Sequence, residues 1–100
     1  MSVNFQEQPR LDPRIIRVWP GLSIRLESKS TTALVESIKR GILANGLSDN
    51  FEIAVFAMVE EGVRVYYVYD GHIRLKAVQQ AIAEGASVET IGVTYVAAPV

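Results

Sequence analysis

The sequence predicts a single small α+β domain, a mixed sheet with two helices packed on it in the order β-α-β-β-α-β. Three observations lead there. One hundred residues is the length of one domain, and a hydrophobic content of 49% is ample for a core and argues against disorder. Two stretches, near 32–45 and 71–84, carry apolar residues at helical spacing. Four β-prone runs, near 15–19, 52–59, 63–69 and 88–96, flank them, and no segment repeats.

Residues 1–13 are polar and hold Pro9 and Pro13, which reads as a flexible N-terminal tail, with the domain over 14–100. Arg14 to Trp19 alternates as a strand, which Pro20-Gly21 ends. Leu22 to Ser30 reads as a loop. Ser30, Thr31 and Thr32 offer N-cap hydroxyls for a helix whose apolar face is Leu34, Val35, Ile38, Ile42 and Leu43, with Glu36, Lys39 and Arg40 off that face. Gly41 weakens this helix, and Asn45-Gly46 stops it. Phe51 to Val59 and Val63 to Tyr69 read as a hairpin about Glu60-Glu61-Gly62. The second helix, from Gly71, buries Ile73, Ala77, Val78, Ala81 and Ile82, and Gly85 follows it. Val88 to Val96 is the last strand.

Composition removes whole classes of chemistry. There is no cysteine, which excludes disulfides, thiolate metal sites and cysteine nucleophiles, and fits the cytoplasm. His72 is the only histidine, so no histidine cluster can hold a metal. No apolar run approaches the roughly 18 residues of a membrane span, and the N-terminus has no secretory pattern. Residues 1–40 hold seven Lys/Arg against four Asp/Glu, and residues 41–100 hold three against seven. Neither half is a basic nucleic-acid surface, so contact with DNA is expected only through another domain or partner.

The richest stretch is Tyr66-Tyr67-Val68-Tyr69-Asp70-Gly71-His72-Ile73-Arg74. An aromatic strand stops at Asp-Gly and a helix begins at once. A helix N-terminus presents backbone N–H groups without intrahelical acceptors and about half a positive charge. With Gly71, His72 and Arg74 added, it is a candidate phosphate cradle. Asp70 reads either as a base or magnesium-holding carboxylate or, by preference, as the cap of its own helix. His72 reads as a polar first-turn residue able to add a donor. Alternation puts Tyr67 and Tyr69 on one sheet face and Tyr66 on the other, where packing is the expected use. Trp19 is a core anchor or a partner-binding residue, and the pattern leaves both open.

The segments Leu34–Gly46, with Glu36-Ser37-Ile38, and Tyr69–Gly85, with Gly71-His72-Ile73-Arg74-Leu75-Lys76-Ala77, resemble two motifs of the ParB/sulfiredoxin-like superfamily, which includes the N-terminal domain of ParB-type partition proteins. The resemblance spans about 14–96. It implies a nucleotide-binding module, with CTP or ATP and Mg2+ as cofactor, acting in plasmid, phage or chromosome DNA transactions. It further implies that Glu36 and Ser37 reach the site from the first helix and that Arg25 matches an arginine of a family loop. The sequence also departs from the family. His72 stands where sulfiredoxin has its cysteine, which excludes that reductase chemistry. Leu47-Ser48-Asp49-Asn50 replaces the Gln-Pro of partition proteins, and neither their third motif nor their helix-turn-helix follows. Two alternatives therefore stand beside the nucleotide module. The nucleotide module itself would hydrolyse nucleotide slowly at most, and the first alternative is a small phosphotransferase or nuclease with Glu36 and Asp70 as its carboxylate pair. The other is an interaction module with a decayed site that engages a protein partner or a second copy of itself.

Overall fold

The computed structural model describes residues 8–20 and 29–99. In chain order the elements are β1 (Arg10–Leu11), a 3-10 turn (Pro13–Ile15), β2 (Ile16–Val18), α1 (Lys29–Asn45), β3 (Glu52–Glu60), β4 (Val63–Asp70), α2 (His72–Ala83) and β5 (Ile91–Tyr95). The strands form one five-stranded mixed sheet in the order β1-β5-β3-β4-β2. The pairs β1/β5 and β3/β4 are antiparallel, while β3/β5 and β2/β4 are parallel. This is the α+β domain that the sequence predicts. Among the described residues, no helix is long and apolar enough to cross a membrane.

The central hairpin follows from its turn chemistry. Glu60 pairs with Val63 across Glu61-Gly62, whose φ values are 52° and 77°. Positive φ at both central residues is the type I′ turn that matches the strands' right-handed twist. β3 lies at the centre of the sheet, so its apolar run is buried on both faces: Val55 and Phe56 are adjacent and neither is exposed. On one face Val55 joins Ile53, Val68, Ile91 and Val93, with Ile42 of α1 and Leu75, Val78 and Ala81 of α2, in the main core. On the other face Phe56, Val65 and Tyr67 form a second cluster, with Trp19 edge-on to Tyr67 at 4.9 Å between ring centres. Trp19 is half-buried and packs against this smaller core. Tyr69, on the same strand, is exposed.

Several expectations are corrected. Residues 8–13 are not a tail: Arg10–Leu11 pairs with β5, Leu11 and Pro13 are buried, and the Arg10 guanidinium donates to the Thr90 hydroxyl and carbonyl, both at 3.0 Å. The first strand is shorter than predicted. Asp12 accepts from the Arg14 N–H at 2.9 Å and Pro13 sets φ, which together wind residues 13–15 into a 3-10 turn. α1 starts earlier, so Ser30, Thr31 and Thr32 lie inside its first turn, where hydroxyls are tolerated. The loop expected before it lies, apart from its last residues, outside the described residues, and so does Arg25.

Lys39 is the largest departure on α1. The helical pattern puts it off the apolar face, yet it is buried. It lies four residues after Val35 and three before Ile42, on the stripe that faces α2. Its stem packs there while its ammonium meets Glu36 at 2.8 Å and Glu84 at 2.7 Å. Leu34 and Leu43, expected on the apolar face, are exposed instead. On α2 the buried stripe is His72, Leu75, Ala77, Val78 and Ala81, whereas Ile73 and Ile82 are only half-buried.

Two glycines test the account with opposite signs. Gly71 has φ 104°, and a Cβ there would lie 2.7 Å from Ile53 Cγ2 and 2.9 Å from Ile53 Cβ. Gly41 lies in α1 with nothing within 4 Å of a Cβ position. Gly71→Ala should cost about 2–4 kcal/mol, since overpacking adds to left-handed strain. Gly41→Ala should gain about 0.5–1 kcal/mol. Urea denaturation of both variants checks the contrast.

Candidate functional site

The strand-to-helix junction opens into a cleft of about 630 Å³. Its walls are Leu34 and Ile38 of α1, the start of β3 from Glu52 to Ala54, the end of β4 at Asp70, the first turn of α2 from Gly71 to Arg74, and Thr94 of β5. The register explains the gathering. Ala54 pairs with Asp70 on one side and with Thr94 on the other, which places the ends of three strands together.

Gly71 makes the corner. Its left-handed backbone, φ 104° and ψ 27°, turns the chain from β4 straight into α2, and Gly71 serves as the helix N-cap. The first intrahelical bond runs from Leu75 N–H to the Gly71 carbonyl at 2.9 Å. The N–H groups of His72, Ile73 and Arg74 precede it and have no acceptor within the helix. Among the described residues, no side chain caps them. The preferred reading of Asp70 as the cap is therefore corrected: Asp70 is the exposed last residue of β4. The glycine itself is required by its φ and by the contact with Ile53, which fills the space a Cβ would take.

Arg74 is exposed and donates to the Glu52 carbonyl at 3.1 Å, which fixes its guanidinium at the mouth of the cleft. A guanidinium has five N–H donors, so one such contact leaves capacity for an oxyanion. Glu52 accepts from the Thr94 hydroxyl at 2.6 Å. Among the described residues the cleft thus carries one guanidinium and two carboxylates, Glu52 and Asp70, along an apolar wall of Leu34, Ile38 and Ile53.

His72 is not a surface donor. It is 4% exposed, it lines the cleft, and neither ring nitrogen has a hydrogen-bond partner among the described residues. Burial holds its imidazole below the ordinary value of 6.5, and the Asp70 carboxylate pulls the other way. A neutral imidazole offers one donor and one acceptor, both unused here.

Of the residues the sequence singles out, Asp70, Gly71, His72 and Arg74 meet at the cleft. Glu36 and Ser37 do not line it. Glu36 is paired with Lys39, whose ammonium holds the carboxyl below its usual range and makes it a poor proton acceptor. Ser37 is exposed on α1. Among the described residues, no group of three or more His, Cys, Asp or Glu could hold a metal ion. Sequence reasoning missed Glu52 and Thr94. Glu52 is the polar first residue of an apolar run, and only the sheet register brings Thr94 beside it. Comparison with protein-family models, with curated proteins and with solved structures finds no match.

The buried imidazole has a consequence for stability. The unfolded chain binds the His72 proton near 6.5, the folded chain only at lower pH. Stability is therefore full above that value, falls as pH drops through it, and levels off below the folded-state value. Asp12 and Glu36, held down by Arg14 and Lys39, act only in the more acid carboxylate range. Urea midpoints from pH 8 to pH 5 should decline in the wild type and stay nearly flat in His72→Leu.

Proposed function

We propose that this chain is a cytoplasmic module that binds a phosphate-bearing ligand, a nucleotide by preference, at the N-terminus of α2. The observation that carries the reading is the corner at Gly71. It aims the uncapped first turn of a 12-residue helix, with Arg74 beside it, into an open cleft. Backbone N–H groups and the helix dipole favour an anion there, and a guanidinium adds a charge-assisted contact. The apolar wall of Leu34 and Ile38 suits the non-phosphate part of the ligand. The resemblance to the ParB/sulfiredoxin-like superfamily supports CTP or ATP with Mg2+ and a role in plasmid, phage or chromosome DNA transactions, with DNA engaged through another domain or partner.

The two carboxylates at the cleft set the conditions. Glu52 and Asp70 oppose a bare anion, so Mg2+ carried in on the nucleotide phosphates should strengthen binding. Hydrolysis is at most slow in this reading, because Glu36 and Asp70 do not form a catalytic pair. The same carboxylates favour the second reading, an interaction module whose nucleotide site has decayed and whose ligand is a protein or another copy of the chain.

Calorimetry with CTP, ATP and inorganic phosphate, with and without Mg2+, separates the two. Arg74→Ala should weaken binding by about 1.5–3 kcal/mol, the scale of a charged hydrogen bond. It should leave the fold intact, since Arg74 is exposed. Equal binding by both proteins removes Arg74 from the site. Absence of binding by the wild type favours the interaction module.

A further inference from the structure

We infer that His72 couples anion occupancy of the cleft to uptake of a proton, so that the site binds anions more tightly as the pH falls. The inference rests on the anion-binding reading above and adds a regulatory property to it.

The geometry is unusual for a histidine. His72 is the first residue of α2, its side chain is sealed from water, and both ring nitrogens lack partners among the described residues. Protonation without an anion places a cation in a buried position at the positive end of a helix dipole, which is doubly unfavourable. The Asp70 carboxylate from β4 is the charge that acts on the ring, and among the described residues the other charged groups lining the same cleft are the Glu52 carboxylate from β3 and the Arg74 guanidinium from its own helix. α1 contributes Leu34 and Ile38, and β5 contributes the Thr94 hydroxyl. Asp70 favours the imidazolium but does not outweigh burial.

An anion on the N–H groups of residues 72–74 changes that balance. It brings negative charge beside the ring in a setting screened less than bulk water. It also neutralises the helix end that opposes the imidazolium. Bound anion therefore stabilises protonated His72, and by reciprocity protonated His72 stabilises bound anion. The proton comes from solvent, and no bond other than N–H forms. The coupling operates between the lowered midpoint of His72 without anion and its higher midpoint with anion bound.

His72 is the only histidine of the chain, so its Cε1–H proton gives an NMR signal that is assignable without ambiguity. The test follows that signal against pH in the wild type, with and without saturating sulfate at matched ionic strength. Sulfate stays a dianion throughout, so the ligand contributes no titration of its own. The midpoint should lie below 6.5 without sulfate and move up with it. Each unit of movement corresponds to a tenfold gain in sulfate affinity across the window, and a change on the order of tenfold is expected by calorimetry. In His72→Gln the affinity should no longer vary over that window. If sulfate binds and the His72 midpoint does not move, the coupling is wrong and the anion site stands. If sulfate binds at no pH, the anion site fails and the coupling fails with it.

Discussion

The contact between Gly71 and Ile53 is the constraint on which the rest of this structure depends. Ile53 lies on the central strand and is buried in the main core. Its Cγ2 occupies the space beside Gly71 where any other residue would carry a Cβ. Only a backbone without a side chain, at φ 104°, reaches that position and turns there. The helix that follows is thereby laid on the sheet with its start at one end of three strands. Its far end is fastened by Lys39 of α1, which bridges to Glu84, and its middle by Gln79, which donates to the Pro13 carbonyl at 3.0 Å.

The same constraint makes the site. A chain that enters a helix through a left-handed glycine has no side chain at the N-cap to serve the first N–H groups. Those donors lie at the cleft with Arg74, while Glu52 and Asp70 set two carboxylates against that one guanidinium among the described residues. The arrangement is thus one of placed donors in a field of mixed sign. That distinguishes it from a bulk basic surface, whose affinity rests on summed charge.

What the sequence made legible was local. The Glu61-Gly62 turn, the apolar run of β3 and the strand-to-helix switch at Asp70-Gly71 are set by neighbours within a few residues, and they fall where the pattern puts them. What it hid was long-range. A two-residue strand such as Arg10–Leu11 has no periodicity to read, and its place depends on β5, some eighty residues away. The burial of Lys39 depends on Glu84 across the helix pair. At the site, Asp70, Gly71, His72 and Arg74 were legible because they are contiguous. Glu52 and Thr94 join them only through sheet register. That His72 would be buried without partners followed from no local signal, since a polar first-turn residue is ordinarily solvated.

If the backbone N–H groups opening α2 are the anion donors, a phosphate titration followed by backbone amide NMR reads them out residue by residue. The amide signals of His72, Ile73 and Arg74 should move together and saturate along one binding curve. Amides of α2 that remain fixed while phosphate shifts other parts of the chain, or that drift without saturating, would contradict it.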